Sequence, residues 1–245
     1  MQFFRAFLIA ICLIIFWVAI VTVTGVPHYI LPGPGRVAIA FYEHSRFLFI
    51  HGITTLIEII SGLVIGTIFG AASALFMTAF RHVKKWLLPV LVISQAIPVF
   101  ALAPLLVLWL GYGMVSKIAM AILIIFFPVT AAFYDGLRRT DSGWIELAGV
   151  MNAKPLSILR HIRIPAAMPS FASGLRVATA VAPIGAVVGE WVGSSKGLGF
   201  YMLHANARMQ TDAMFAALAL IAIIALLLYF SVDKLMNKIV FWQKE

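Results

Sequence analysis

The sequence predicts an all-α integral membrane protein with about six transmembrane helices, and three observations carry that prediction. Hydrophobic residues make up 63% of the 245 positions and charged residues 11%, with a mean hydropathy of +1.05. A water-soluble domain is nearer half apolar and a quarter charged, so this chain has too little polar surface to face water all round. Apolar runs fall at about 7–24, 52–79, 87–110, 114–134, 170–192 and 212–231, each long enough to cross a hydrocarbon core of roughly 30 Å as a helix. The runs are continuous rather than alternating, which selects helices over a closed barrel.

The first run follows Arg5 and outlasts a signal-peptide core of roughly 7–15 residues, so it reads as a retained span. Cys12 is the one cysteine, so no disulfide framework forms within the chain. After this run, "PGPG" at 32–35 breaks any helix. Val37 to Phe49 is apolar with scattered charges and reads as a helix lying along the membrane surface.

The second run carries Gly62, Gly66 and Gly70 at every fourth residue, continued by Ala74. Small residues at that spacing let two membrane helices approach closely. Glu58 shares the stripe and should face protein, because a carboxylate facing lipid is costly. The third run holds Pro89, Pro98 and Pro104, each of which removes a backbone donor and bends a helix. Gln95, Pro98, Leu102, Leu105 and Trp109 share one face of it. Two readings stand for this face: a kinked packing helix, or one lining a pathway, with Gln95, Pro98 and Phe100 as candidates.

Near the end of the fifth run stand Glu190 and Trp191. They are either solute contacts, through hydrogen bonding and stacking, or a solvated acid and an interfacial aromatic. The glycines of "GSSKGLG" at 193–199 do not match a phosphate loop, and a re-entrant turn or short packed helix is expected there.

The cations orient the set. With the N-terminus inside, the inner segments hold Arg5, Arg81, Lys84, Lys85, Arg138, Arg139, Lys154, Arg160, Arg163, Lys234, Lys238 and Lys244. The outer segments hold Arg36, Arg46, Lys117, Lys196 and Arg208. This bias predicts cytoplasmic N- and C-termini. The net charge of +9 thus reflects topology rather than nucleic-acid binding. The six histidines are scattered and form no metal-ligand pair, so no metal site is expected.

No GxSxG, HExxH or Walker A pattern occurs, which leaves the polar segment between the fourth and fifth runs as the informative stretch. From Glu146 it reads E-L-A, three residues, Asn152, nine residues, then I-R-I-P ending at Pro165. This resembles the E-A-A-x3-G-x9-I-x-L-P signature of ABC importer permeases, matching at Glu146, Ala148, Ile162 and Pro165. Leu147, Asn152 and Ile164 stand where the family has alanine, glycine and leucine. Asparagine is the residue after glycine that best tolerates a left-handed backbone, so a sharp turn at Asn152 is expected.

The resemblance implies a type I ABC importer permease fold: one transmembrane domain over 1–245, a core at 50–235 and a cytoplasmic coupling segment at 136–169. It implies that Ala153, Leu156 and Leu159 contact an ATPase, with Lys154 and Arg160 at the rim and Ile162 and Pro165 pinning the elbow to the spans. It also implies two cytoplasmic ATPase subunits, a second copy of this chain, and a periplasmic or lipid-anchored binding protein. ATP and magnesium would be bound by the partner ATPase, with no cofactor in this chain and no catalytic site of its own. The setting would be a bacterial inner membrane.

"LPGPGRVAIAF", "QAIPVFALAPLLVLWLGYG" and "VVGEWVGSSKGLGFYMLHANARMQTD" resemble the nitrate/sulfonate/taurine-type permeases. Within that group they look most like permeases for hydroxymethylpyrimidine, a thiamine precursor, with riboflavin, sulfonate, taurine or nitrate as alternatives. An ion-coupled secondary transporter is the reading from a different class. It would call for internal repeats and acids near the midplane, whereas Glu58, Asp135, Glu190 and Asp212 are expected near span ends.

Overall fold

The computed structural model describes residues 2–242, with side chains from residue 8 onward. Among the described residues every regular element is helical. In chain order they are α1 (Gln2–Thr24), α2 (Pro34–Glu43), α3 (Ser45–Ala79), α4 (Arg81–Ala96), α5 (Val99–Leu110), α6 (Met114–Arg138), α7 (Ser142–Val150), α8 (Pro155–Ile158), α9 (Ile164–Gly193), α10 (Leu198–Ala207) and α11 (Thr211–Ile239). A π-helical turn, Leu159–Arg163, joins α8 to α9 without a break.

The centre of the bundle is α6, packed between α3 and α9. Close approach is possible because the facing residues are small. A side chain on Gly66 would come within 2.9 Å of Ile125 Cγ2, and Gly62 and Gly70 sit against Ala121 and Val129 in the same register. From α9, Ala178, Ala182 and Ala186 are fully buried at the same four-residue spacing. At the edge, Trp17 of α1 lies 6.0 Å from Phe215 of α11 and packs on the cluster that also holds α2.

Among the described residues, four helical stretches are long and apolar enough to cross a bilayer: Ser45–Ala79, Met114–Arg138, Pro155–Gly193 and Thr211–Ile239. The α4–α5 pair makes a fifth if counted as one bent span, and α1 adds the apolar stretch Leu8–Thr24. The six runs therefore correspond to six helical regions, with several boundaries moved.

The third run is not one kinked helix. It breaks at Ile97 into α4 and α5, which meet at 105°. Pro98 forces the residue before it out of the helical region, and Ile97 is extended at φ −87°, ψ 120°. The expected surface helix over 37–49 is also shorter, because α3 already begins at Ser45. Pro34 occupies the first turn of α2, where its missing N–H costs nothing. "GSSKGLG" becomes a tight loop leading into the short packed helix α10.

Candidate functional site

Two regions concentrate polar and unpartnered groups, one at each end of the bundle. The first is the elbow that follows α6. Asp141 caps α7 by accepting a hydrogen bond from the Gly143 N–H at 2.7 Å. At its other end α7 closes in a Schellman turn: Asn152 N–H donates to Gly149 O and Ala153 N–H to Ala148 O, both at 2.9 Å. Asn152 takes the left-handed position at φ +60°. Pro155 then starts α8, which runs through the π turn into α9. The elbow therefore has one free arm, α7, and one arm continuous with a span, rather than two separate short helices.

The elbow's surface is strongly apolar. Leu156 is 75% exposed and Leu147 62%, as are three residues that no motif singled out: Trp144 at 56%, Val150 at 86% and Met151 at 75%. Trp144, Leu147 and Met151 follow helical spacing, so an amphipathic reading of 142–151 would have found them. Glu146, Lys154 and Arg160 are exposed, while Ala148 is buried and Ala153 half-buried. Leu159 turns inward instead, packing on the cluster of Ala74, Met77, Leu91, Phe133 and Leu137. Ile162 and Pro165 line an apolar groove of about 540 Å³ with Trp144, Leu147, Met151 and Trp242.

The second region lies at the opposite end. Three side chains hold the amino end of α10. The Gly197 N–H donates to His51 Nδ1 at 2.9 Å, the Leu198 N–H to Thr55 Oγ1 at 2.8 Å, and the Gly199 N–H to Glu190 Oε2 at 2.5 Å. These are donors that a helix start leaves without intrahelical partners. Thr55 donates in turn to Glu190 Oε1 at 2.6 Å. Lys117 of α6 pairs with Glu58 of α3 and donates to Ser194 Oγ at 3.1 Å. Glu58, Lys117, Thr55 and Glu190 are all nearly inaccessible.

This cluster corrects two expectations. Lys117, counted among the cations of the outer segments, is a buried ion-pair partner inside α6, and its charge is neutralised by Glu58 rather than by solvent. Glu190 is not a solvated acid, because Thr55 and Gly199 occupy its two oxygens. No sequence pattern announced the cluster: its members come from three helices and one loop, brought together by the close packing around α6.

The pathway candidates separate. Successive residues on a helix point about 100° apart, so Glu190 is 1% exposed while Trp191 is 49% exposed. Gln95, Pro98 and Phe100 gather instead at the α4–α5 break, where Pro98 caps α5 and Phe100 is 67% exposed.

Comparison with known proteins agrees with this architecture. The family described as "Binding-protein-dependent transport system inner membrane component" matches residues 62–242. A probable ABC transporter permease protein of Haemophilus influenzae is 56% identical, covering 96% of both chains. The formylaminopyrimidine transport permease protein ThiX of Halalkalibacterium halodurans is 35% identical over 95% of this chain and 93% of its own. The riboflavin transport system permease protein RibX of Chloroflexus aurantiacus is 37% identical over 94% of this chain and 87% of its own. Among solved structures, an amino acid ABC transporter superposes with a TM-score of 0.66 at 16% identity, covering 84% of this chain and 98% of that one. The chain therefore belongs to the binding-protein-dependent transport system inner membrane components, with a type I ABC importer permease fold and no enzymatic role of its own.

Proposed function

We propose that this permease subunit moves a hydroxymethylpyrimidine- or formylaminopyrimidine-type thiamine precursor into the cell. The observation that carries the substrate class is the 35% identity to a formylaminopyrimidine permease along nearly the whole of both chains. A riboflavin substrate is the second reading, favoured by the 37% identity to RibX. Both are nitrogen heterocycles, whose flat rings suit stacking on the exposed Phe100 and Trp191.

In this reading the whole chain, 1–245, is one transmembrane unit with its core at 50–235, and both termini are cytoplasmic. A second copy completes the path, and a binding protein delivers solute from outside. The segment 136–169 meets the ATPase that binds ATP and magnesium. Leu156, Ala153 and the exposed face Trp144, Leu147, Val150 and Met151 form the contact, which fits the exposure of all but the half-buried Ala153. Lys154 and Arg160 are its polar rim, and Glu146, also exposed, belongs to the same segment. Leu159, Ile162 and Pro165 tie the contact to the bundle. Gln95, Pro98, Phe100 and Trp191 are placed on the path, with Glu190 supporting it from behind through α10.

Uptake of labelled pyrimidine and riboflavin in a strain lacking this subunit tests the substrate. Restored uptake of the pyrimidine, but not riboflavin, is expected on complementation, and the reverse outcome selects the second reading. Leu156→Asp should abolish ATPase co-purification while the subunit still inserts. Normal co-purification would refute the contact.

A further inference from the structure

We propose that His51 is a proton-operated latch on the amino end of α10, closed while its ring is neutral and opened by acid in the medium at that end of the bundle. The bond itself fixes the state of the ring. A backbone N–H can only donate, so the Gly197 N–H at 2.9 Å requires a lone pair on His51 Nδ1. The ring proton therefore sits on Nε2. A second proton, added at Nδ1, sets a donor against a donor, and the bond is lost.

Three consecutive amides start α10, and each has its own acceptor: His51 for Gly197, Thr55 for Leu198 and Glu190 for Gly199. Of these acceptors, His51 is the one that can answer to the medium. Thr55 does not titrate, and Glu190 is shut away at 1% exposure. His51 stands half-buried in the second turn of α3. Gly197 is also the pivot of the junction, at φ +122°, a conformation that glycine adopts freely. Opening the latch frees Gly197 while Leu198 and Gly199 stay held, so the change is confined to the join between loop and helix.

The surrounding groups give a charged ring little to pair with. Lys196, beside Gly197 in the loop, acts on it with a like charge. The start of α10, a helix of 10 residues, turns the positive end of its dipole the same way. Phe200 and Tyr201 in the first turn of α10 lie 6.0 and 5.6 Å from the ring. His44 packs on Tyr201 at 6.4 Å and His204 on Phe200 at 4.2 Å, so two further histidines stand one ring away. The carboxylates at this end are engaged: Glu190 by Thr55 and Gly199, Glu58 by Lys117, and Asp212 of α11 by Arg36. In the proposed topology this end meets the medium outside the cell, so the latch senses external acidity. It does not depend on which solute is carried.

The test measures amide hydrogen exchange at Gly197, with single-residue readout, on the assembled transporter in lipid nanodiscs at about pH 8 and about pH 5. Each rate is divided by the intrinsic rate at its pH to give a protection factor. Wild-type protection at Gly197 should fall about tenfold on acidification, the effect of losing one hydrogen bond, while Gly199 keeps its protection. His51→Asn places a non-titrating acceptor near the Nδ1 position, and its protection at Gly197 should be the same at both pH values. His51→Phe keeps a ring against α10 but offers no acceptor, and should give the low value at both. Wild-type protection that ignores pH overturns the proposal. So does an acid-induced fall that persists in His51→Asn, which would move the response to His44, His204 or Glu190. Full protection of Gly197 in His51→Phe at the higher pH overturns it as well.

Discussion

The Thr55 hydroxyl donates to Glu190 at 2.6 Å and accepts from the Leu198 N–H at 2.8 Å, so one side chain of α3 fastens both α9 and α10. Thr55→Val keeps the shape and removes both bonds. A buried amide and a carboxylate oxygen would be left without partners, costing about 1–2 kcal/mol. The melting temperature in detergent should fall, and amide exchange at Leu198 should rise more than in α6.

Lys117 and Glu58 neutralise one another inside the bundle. Lys117→Met leaves a carboxylate buried without its counter-ion, a loss of about 3–5 kcal/mol. Adding Glu58→Gln to the same chain should recover most of the stability. Thermal melts of the two single variants and the double variant measure that recovery, and strictly additive losses would mean that the pair is not coupled.

Close packing at Gly66 leaves little room for a side chain. A methyl group there would stand 2.9 Å from Ile125 Cγ2. Gly66→Val should destabilise by about 1–3 kcal/mol through overpacking. Ile125→Ala, which removes the Cγ2 that the new side chain would strike, should restore part of the loss in the same chain, read as folded protein surviving a heat step.

The elbow turn depends on a left-handed residue. Asn152→Gly should preserve uptake, since glycine adopts φ +60° freely. Asn152→Val should cost about 1–2 kcal/mol at the turn and reduce ATPase association, because a β-branched residue resists that conformation.

Local chemistry was legible in the sequence. The residues from Glu146 to Pro165 placed the elbow, and asparagine at 152 marked its turn. The four-residue spacing of Gly62, Gly66 and Gly70 marked the face that α6 covers. What escaped was long-range. Glu58, Lys117 and Glu190 lie far apart in the chain, and charge position alone counted Lys117 with the outer segments without showing its buried partner. The inward turn of Leu159 also depends on tertiary packing, because a π turn shifts the helical register just after it. The break at Ile97 followed from a proline, but proline alone does not distinguish a kink from a 105° corner.

Pro155–Gly193 is a single helical path of 39 residues, about 58 Å at 1.5 Å per residue. One end is the elbow's second arm, and the other lies three residues past Glu190. In the proposed function, a displacement imposed at Pro155 would travel as along a push-rod to the carboxylate that holds α10. Its compliance is concentrated at the π turn and at Pro165, Pro169 and Pro183. Stiffening any of these joints would change how far, and in which direction, motion at one face of the membrane is delivered to the other.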